Sequence, residues 1–381
     1  MKPIRVLTIG HSYVLAVNRA TVREVARDPA FQVTVAAPAF FHGDLRPLKC
    51  EPEPAGSPLR LVPIHARWTK HIHVFQYAQK ALRELILNEP FDAIHAWEEP
   101  YILAGYQIAR LARRSGARFC FRTAQSLNKW YPPPFSFFER RSVAAADRWI
   151  AGGRSVFDNL VARGDSADRG RVITLAVDTS MFRPADEAAR AQVRRELGLI
   201  APVIGFVGRL VAAKGLGILM QALESVDASI PWSLLLLGSG EMQAELEQWA
   251  ANHGWQDRVK ILLAKHHEVP KYLSAMDLMV APSQTMPNWK EQFGRMLIEA
   301  FACAVPVIAS DSGEIPHVIG DAGLIVPEKD VLGWKHNIEM LLQNQDLRTR
   351  IGLAGKARVG QFSVTEVARQ FRDFYRQLAW G

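Results

Sequence analysis

Residues 282–327, PSQTMPNWKEQFGRMLIEAFACAVPVIASDSGEIPHVIGDAGLIVP, carry the strongest fold signal in the chain. They follow an apolar segment at 278–280, cross a polar loop, and continue into a helix predicted over 295–302. A second β-branched segment at 305–309 comes directly afterwards. A strand, a helix and a further strand in this order form a βαβ unit, which predicts a parallel sheet.

The same alternation of short apolar segments and longer amphipathic stretches extends outward in both directions. Strands are predicted at 4–9, 32–36, 59–64, 93–95, 118–122, 148–151 and 172–175 in the first half. After a polar stretch at 184–196, strands are predicted at 203–207, 234–237, 260–263, 278–280 and 305–309. Three helical stretches close the chain, the last at 364–378. The 381 residues therefore predict an α/β protein with two doubly wound domains in tandem.

The charge of the chain is concentrated in its first half. Lys and Arg number 46 against 38 acids, which gives a net charge of +8. Residues 1–190 have a net charge of +9 and residues 191–381 a net charge of −1. No helix-turn-helix signature or aromatic stacking motif accompanies this charge, so we expect no nucleic-acid partner. Phosphorylated ligands and an anionic membrane surface stay open as partners of the basic first domain.

The three cysteines and the chain's hydrophobic runs bear on its location. The cysteines are widely spaced and form no C-x-x-C pair, which argues against a disulfide framework or a zinc ribbon and fits a reducing cytoplasm. No apolar run approaches the roughly 18 residues that span a bilayer. We expect a cytoplasmic protein, with a peripheral position on the inner face of the membrane as an open alternative.

Two carboxylates flank the start of the helix predicted at 295–302. Glu291 lies in the loop before it and Glu299 lies on it, so the two can face one ligand from different sides. The first helical turn offers free backbone N–H groups and the positive end of the helix dipole to an anion, and Gly294 permits its close approach. A diphosphate suits such a site.

A second segment, GFVGRL at 205–210, ends a predicted strand in a glycine turn. It presents Arg209 and, five residues later, Lys214. Arginine binds phosphate oxygens in pairs and lysine adds a compact positive charge. Together they can neutralise the charge that develops on a departing nucleoside diphosphate. The turn LGSGE at 237–241 ends another strand of the same domain.

These motifs resemble one known family. The series G-R-L-x-x-x-K-G, L-G-x-G, P-S, E-x-F-G-x-x-x-x-E-A and P-V-I-A-S-x-S-G is similar to that of the retaining family-4 glycosyltransferases of GT-B fold, the glycosyl transferases group 1. The segment AVDTSMFRP at 176–184 resembles the family's G-V-D-x-x-x-F-x-P lead-in to its second domain. The resemblance is dense across 170–330 and mostly topological across 1–170.

The resemblance implies two Rossmann-like domains that face a central cleft. Residues 1–183 would bind the acceptor, residues 184–362 would bind a nucleotide-sugar donor, and a C-terminal helix at 363–381 would cross back to the first domain. The implied reaction moves a hexose-type sugar from a UDP or GDP sugar to a saccharide, lipid-linked or small-molecule acceptor, with retention at the anomeric carbon.

The resemblance and the positions after predicted strands together define candidate site residues. Arg209, Lys214 and Glu291 are the catalytic candidates, and the resemblance places Glu299 on the ribose hydroxyls, a role that suits a carboxylate. The donor-binding set is Gly10, Gly208, Arg209, Lys214, Gly238, His266, Glu291, Gln292, Phe293, Gly294, Arg295 and Glu299. The acceptor-binding set is His11, Ser12, Trp97, Glu98 and Gln125.

Three positions depart from the family's pattern. The turn GHSY at 10–13 has one glycine where members usually carry two, and Gln125 stands where they often have histidine. His317 replaces the acid of the G-G-x-P-E signature. A glutamine can hold a sugar hydroxyl but cannot act as a general base.

The expected mechanism uses no metal and no cofactor. No Asp-x-Asp motif occurs, so the cationic pair would stabilise the diphosphate, and the departing phosphate oxygen would help to take the acceptor's proton. Two alternatives stay open. A nucleotide-sugar 2-epimerase of the same fold would need no acceptor, and a non-catalytic nucleotide-sugar-binding protein would turn over nothing.

Two rows of arginines lie on predicted helices of the first half. One row is Arg19, Arg23 and Arg27, and the other is Arg110, Arg113 and Arg114. Each row is interpreted either as a solvated helix face or as a surface for anionic lipid or a phosphate-bearing acceptor, since basic side chains near an anionic leaflet contribute about 1 kcal/mol each.

Overall fold

The computed structural model describes residues 2–42, 47–200 and 202–381. It has two compact units, residues 1–174 with 364–381, and residues 175–363. The domain boundaries predicted from the sequence lie at 183/184 and 362/363. The segment 175–183 belongs to the second unit because Val177 and Phe182 are buried in that unit's core, and the Val177 N–H donates to the Phe362 carbonyl at 2.9 Å.

The first unit is built on seven parallel strands in the order β11-β10-β9-β8-β1-β2-β5. Two short antiparallel pairs, β3 with β4 and β6 with β7, lie outside this sheet. The elements are β1 (Ile4–Ile9), α1 (Ala20–Ala26), β2 (Phe31–Pro38), β3 (Phe40–His42), β4 (Pro47–Lys49), β5 (Arg60–Ile64), β6 (Ala66–Arg67), β7 (Gln76–Tyr77), α2 (Gln79–Asn88), β8 (Ala93–Ala96), α3 (Leu103–Ser115), β9 (Arg118–Thr123), α4 (Phe135–Ala145), β10 (Arg148–Ala151), α5 (Arg154–Ala162) and β11 (Gly170–Val172).

The second unit is built on six parallel strands in the order β14-β13-β12-β15-β16-β17. Its elements are α6 (Glu187–Leu197), β12 (Val203–Val207), α7 (Leu216–Glu224), β13 (Ser233–Leu237), α8 (Gln243–Asn252), β14 (Val259–Leu262), α9 (Val269–Ser274), β15 (Leu278–Ala281), α10 (Arg295–Ala302), β16 (Val307–Ser310), α11 (Ile315–Ile319), β17 (Leu324–Val326), α12 (Val331–Gln343) and α13 (Gln345–Arg358).

Both sheets are covered by helices, which explains the apolar composition of their strands. All five residues of β13, SLLLL, are buried, as are all four of β8, AIHA. A parallel strand buried on both faces has a nearly continuous apolar run instead of alternating polar and apolar residues. The α/β prediction with two doubly wound, Rossmann-like units is therefore confirmed.

Each sheet has one point where the strand order reverses. In the first unit the reversal lies between β1 and β8, because β2 and β5 extend the sheet on one side of β1 and β8 to β11 extend it on the other. In the second unit the reversal lies between β12 and β15. Loops that leave the carboxyl ends of such a strand pair diverge and open a crevice, where ligands of this fold class bind.

The last helix, α14 (Val364–Trp380), belongs to the first unit. It buries six side chains, Val367, Ala368, Phe371, Phe374, Tyr375 and Leu378. The Tyr375 hydroxyl lies 2.9 Å from Nδ1 of His95 on β8, whose pKa burial lowers to about 3. A neutral histidine in the core thus anchors the helix through a hydrogen bond.

Several predicted elements differ in their ends. The strand predicted at 172–175 lies at Gly170–Val172, and the one predicted at 305–309 lies at Val307–Ser310. The polar stretch at 184–196 contains helix α6, which Asp186 caps by accepting the Ala189 N–H at 2.7 Å. Polar composition alone does not exclude a helix whose buried side is narrow.

The interpretation of Arg19 as an exposed helix residue is wrong. Arg19 is fully buried before α1, where its guanidinium contacts Glu53 at 2.5 Å and donates to the carbonyls of Tyr13 and Glu51. Arg23 also pairs with Glu53, at 2.8 Å. Arg19 and Arg23 therefore support the local fold, whereas Arg27 is exposed and pairs with Glu24 at 2.7 Å.

Across the described ranges we find no helix with both the length and the apolar character that crossing a membrane requires.

Candidate functional site

The site in the second unit forms at the point where its strand order reverses. Lys214 follows β12 and Glu291 follows β15, and the lysine Nζ lies 2.5 Å from Glu291 Oε2. Ser283, the second residue after β15, donates its hydroxyl to the same carboxylate oxygen at 3.0 Å. Glu291 is buried, so a positive charge, a negative charge and a hydroxyl meet where solvent screens them little.

Backbone contacts hold these two loops together. Gly215 has φ +74°, and a Cβ added there would collide with the Pro282 carbonyl, so only glycine fits without strain. The Gln284 N–H donates to the Ala213 carbonyl at 2.8 Å. The loop after β15 is also held from its other side, because the Ser310 hydroxyl donates to the Ser283 carbonyl at 2.6 Å. Lys214 and Glu291 therefore meet on a fixed backbone.

Helix α10 begins beside this pair. Gly294 occupies the N-cap position with φ +80°, which favours glycine, and the eight residues of α10 follow. Glu299, on the second turn, is buried, and this burial raises its pKa to about 7 although Arg295 opposes the shift. Burial and the Arg295 charge also lower the pKa of His266. Arg295 is thus close enough to both His266 and Glu299 to influence their pKa values.

The other predicted donor residues take varied positions. Arg209 is exposed directly after Gly208, and the Gly208 carbonyl lies where a Cβ on Gly238 would stand, so the two glycine turns pack backbone to backbone. Gln292 is exposed. Phe293 is buried edge-on against Phe362 at 5.9 Å between ring centroids, so it packs in the core of the unit. The predicted donor residues thus fall into two groups: Arg209 and Gln292 face solvent, and Phe293 packs in the core of the unit.

Two of the predicted acceptor residues, His11 and Glu98, meet at the strand reversal of the first unit. His11 follows β1 and Glu98 follows β8. One Glu98 oxygen accepts the His11 backbone N–H at 2.6 Å, and the other lies 2.6 Å from His11 Nδ1. The Tyr77 hydroxyl donates to Glu98 at 2.9 Å. The buried carboxylate thereby fixes the orientation of the imidazole ring.

His11 and Ser12 line one cavity of 370 Å³ in this unit. Phe41 lies in its wall and stacks on the His11 ring at 5.0 Å between centroids. Thr69 and Lys70 add polar groups to the same wall. The cavity combines an oriented imidazole, hydroxyls and an aromatic face, which are groups that bind hydroxylated ligands.

Gly10, Trp97 and Gln125 lie outside this cavity lining. Trp97 packs between the Arg122 guanidinium, 4.5 Å from its ring centroid, and Phe371 of α14. A Cβ on Gly10 would stand 2.9 Å from the Trp97 Cβ, which explains the glycine. Gln125 donates its amide to the Tyr131 hydroxyl at 3.0 Å and accepts the Leu127 N–H, so its side chain supports its own loop.

Comparisons with known proteins agree with this architecture. The family described as "Glycosyl transferases group 1" matches residues 191–358, and "Glycosyltransferase Family 4" matches residues 16–181. The chain belongs to the family-4 glycosyltransferases of GT-B fold. The resemblance stated from the motifs is thereby confirmed.

Curated relatives of the chain include a D-inositol 3-phosphate glycosyltransferase from Xylanimonas cellulosilytica, 33% identical over 249 residues, which are 63% of this chain and 59% of that protein. The alpha-maltose-1-phosphate synthase of Mycolicibacterium smegmatis is 29% identical over 64% of this chain and 66% of its own length. A second D-inositol 3-phosphate glycosyltransferase, from Nocardia farcinica, is matched over 55% of its length. The chain thus spans little more than half the length of these two inositol-phosphate relatives.

Solved GT-B structures share the fold over nearly the whole family-4 chain. HepE from Anabaena, in complex with UDP, superposes with a TM-score of 0.74 at 18% identity, over 98% of this chain and 100% of that one. Sucrose-phosphate synthase from Thermosynechococcus elongatus superposes with a TM-score of 0.72 at 21% identity, over 98% and 99% of the two chains. At these identities the superpositions establish the fold.

Three residues that contact the predicted sites of this family-4 chain are not among those predicted from the sequence. Ser283 and Tyr77 bond the two buried carboxylates, and the Trp289 ring centroid lies 4.9 Å from Lys214 Nζ. Ser283 had a usable signal, because it is the second residue after a predicted strand and belongs to the P-S motif quoted above. Tyr77 lies in a two-residue strand outside the main sheet, so no pattern in the sequence connects it with Glu98.

Proposed function

We propose that this chain is a retaining glycosyltransferase that moves a hexose-type sugar from a nucleoside diphosphate donor, UDP or GDP, to an acceptor hydroxyl. The observation that carries the proposal is the Lys214–Glu291 pair, 2.5 Å apart where the strand order reverses, in the loops that precede α10. A cation, a buried carboxylate and a helix N-terminus together suit a diphosphate joined to a sugar. The UDP complex of the HepE fold relative supports testing UDP sugars first.

In this proposal Arg209 and Lys214 neutralise the negative charge of the donor's diphosphate. An incoming diphosphate would offer oxygens to the Lys214 ammonium, which Glu291 now neutralises. Glu291 would then face the sugar, and Glu299 would accept the ribose hydroxyls. His266 would lie near the nucleotide base. The Arg295 charge contributes to lowering the pKa of this histidine.

The proposed chemistry needs no protein base and no metal. The bond between the anomeric carbon and the diphosphate oxygen breaks, and the acceptor oxygen bonds to that carbon on the same face. The acceptor's proton passes to the departing phosphate oxygen. Lys214 and Arg209 stabilise the negative charge that develops on the diphosphate, which is the step where fixed cations lower the barrier most.

We assign the acceptor to the cavity lined by His11 and Ser12, with Glu98 as the residue that orients the imidazole. Trp97 and Gln125 would act indirectly by supporting the surrounding loops. The acceptor class stays as broad as the sequence left it, a saccharide, a lipid-linked saccharide or a small molecule. The names of two relatives include a phosphorylated inositol and a phosphorylated maltose, so phosphorylated polyols join the compounds to test.

A donor screen tests the proposal. The chain is incubated with UDP, GDP, ADP and dTDP hexoses, with and without acceptors that include D-inositol 3-phosphate, and all products are separated by chromatography. We expect nucleoside diphosphate release that increases with one acceptor, no loss of rate in EDTA, and an anomeric configuration in the product that matches the donor by NMR.

Other outcomes of the same screen contradict the proposal. A new nucleotide sugar formed without acceptor would identify a 2-epimerase. Donor binding without any hydrolysis or transfer would identify a binding protein. Inversion at the anomeric carbon would exclude the mechanism while leaving the transferase activity. The cytoplasmic location and the peripheral membrane position stay predictions.

A further inference from the structure

Four arginines on two neighbouring helices of the first unit line a single pocket of 370 Å³. Arg110, Arg113 and Arg114 lie on α3, and Arg141 lies on α4. All four are exposed. The structure therefore extends one of the two arginine rows seen in the sequence, and it adds a fourth arginine from another helix.

Helical geometry explains how these side chains converge. Positions 106, 110, 113 and 114 of α3 share one helix face, as do positions 137 and 141 of α4. Tyr106 and Phe137 also line the pocket, with ring centroids 5.6 Å apart, and the Arg141 guanidinium lies 5.4 Å from the Phe137 centroid. The two rings thus join the helices at the pocket, and the guanidinium groups surround them.

No acidic side chain among the lining residues neutralises the positive charge of this pocket. No acid lines it, and in the part of the chain that the structure describes no carboxylate lies within ion-pair distance of these four arginines. Other exposed arginines of this unit do have such partners, for example Arg60 with Glu89 at 2.6 Å. Clustered like charges repel, and they destabilise a fold unless something else compensates.

Local helix electrostatics compensates only part of this charge. Arg113 and Arg114 lie in the last turn of α3, where the helix dipole favours cations. Arg110 lies a turn earlier and Arg141 belongs to a different helix, so the dipole of α3 does not account for either position. Their convergence on one concave surface is explained by a ligand.

We propose that this α3–α4 arginine pocket binds a phosphate group. Guanidinium groups are planar and donate paired hydrogen bonds that match phosphate oxygens, and four of them approach from two sides of one concavity. The ligand carries its phosphate either on an anionic lipid head group or on a free molecule. The pocket lies in the first unit, apart from the Lys214 site in the second, so the proposal does not depend on glycosyl transfer.

The test compares two triple variants of equal net charge. The pocket variant is Arg110→Gln, Arg114→Gln and Arg141→Gln, and the control is Arg60→Gln, Arg118→Gln and Arg369→Gln, three exposed arginines of the same unit that each have a carboxylate partner. Both are made in a Lys214→Met background, because pyrophosphate is also expected at the donor site. Thermal unfolding establishes that both variants are folded.

Two probes distinguish the sources of the phosphate. Inorganic pyrophosphate is titrated by calorimetry, and vesicles of phosphatidylcholine with or without phosphatidylglycerol are co-sedimented with the protein. We expect the pocket variant to bind at least one probe about tenfold more weakly or worse, as several basic residues at a surface act together, and the control to bind within about twofold of its parent.

Each result decides the proposal. Loss of pyrophosphate binding in the pocket variant identifies a free phosphate ligand, and loss of binding to anionic vesicles alone identifies a lipid head group. Equal effects in the two triple variants would mean that net charge alone attracts the probe, and absence of binding to both probes by the parent protein would mean that there is no site. Either of these two results overturns the proposal.

Discussion

Lys214 and Glu291 stabilise each other at a place where neither would be stable alone. Glu291 is buried, and its Oε2 atom accepts hydrogen bonds from both Lys214 and Ser283. Removing one member of a buried pair leaves the other charge without compensation, which costs more than the pair itself contributes. The same two side chains are the proposed contacts of the donor, so their effects on stability and on activity can be separated by experiment.

We expect Lys214→Met to lower the free energy of unfolding by about 2 kcal/mol, because Glu291 keeps its burial and loses its cation. Turnover should fall about a hundredfold or more, since a fixed charge at the leaving group is lost. The double variant Lys214→Met/Glu291→Gln should recover stability and stay inactive. Urea unfolding and the donor assay measure the two effects, and a double variant with recovered activity would contradict the assignment.

Glu299 is a buried acid whose protonation depends on folding. Its pKa rises from the ordinary 4.5 to about 7 because burial penalises the carboxylate. Between these two pH values the unfolded chain has released the proton that the folded chain still holds. The unfolded state then binds fewer protons, so the folded state loses stability as the pH rises from about 4.5 to 7.

We expect Glu299→Gln to remove a pH-dependent loss of stability on the order of 3 kcal/mol between pH 5 and 8. Urea unfolding at several pH values in this range measures it. The control is Glu366→Gln. The hydrogen bond from Arg369 is the main cause that lowers the pKa of Glu366 to about 2, so this carboxylate does not titrate above pH 5. An unchanged pH slope in Glu299→Gln would show that burial does not hold this carboxyl protonated.

At the scale of elements, the second site depends on the contact between the loop after β12 and the loop after β15. Gly215 is the closest point of this contact, with φ +74° and the Pro282 carbonyl in the place of a side chain. Gly217, two residues later on α7, has open space around its missing Cβ. The two glycines therefore make a matched pair that separates the loop contact from helix propensity.

We expect Gly215→Ala to lower the free energy of unfolding by about 2 kcal/mol or more, through backbone strain and the collision with Pro282. Gly217→Ala should raise it by about 0.5 kcal/mol, because alanine favours the helix. Chemical unfolding of both variants measures these changes. If both substitutions stabilise the chain, the two loops can separate at little cost and do not fix Lys214 beside Glu291.

At the scale of the whole molecule, the first unit is completed by the end of the chain. Helix α14 buries large side chains that include Phe371, Phe374 and Tyr375, and Arg376 lies 3.2 Å from Asp28. Each large apolar side chain contributes about 1.5–3 kcal/mol when buried, and whole domains are stable by only about 5–15 kcal/mol. The first unit therefore depends on residues that follow the second unit in sequence.

Deletion of residues 364–381 should leave the first unit unfolded and the second unit folded. Hydrogen exchange followed by mass spectrometry measures this by peptide, with protection lost across 2–174 and kept across 202–363. Removal of residues 380–381 alone is the control, because Trp380 is 65% exposed and should change little. Retained protection in the first unit of the longer deletion would show that its sheet is stable without α14.

The charge asymmetry of the sequence also changes meaning at this scale. Part of the excess in residues 1–190 supports the fold locally, as in the buried Arg19 beside Glu53. Another part is gathered into the α3–α4 arginine pocket. A count of charges could not distinguish these uses, because both rows have similar helical spacing and only packing shows which one is covered.

Sequence patterns predicted the fold class, all seven strands of the first sheet and five of the six strands of the second, and they missed β17 (Leu324–Val326). They also indicated Lys214 and Glu291, which the structure brings into contact. Apolar runs report burial directly, and proposed donor contacts such as Lys214 and Glu291 follow strands at positions that the chain order specifies. The tertiary structure alone decided the pairings across long separations. His11 with Glu98, Tyr77 with Glu98, and Tyr375 with His95 arise from strand order, and strand order depends on packing of the whole unit. Local patterns carry no information about such contacts, because each depends on which strands become neighbours.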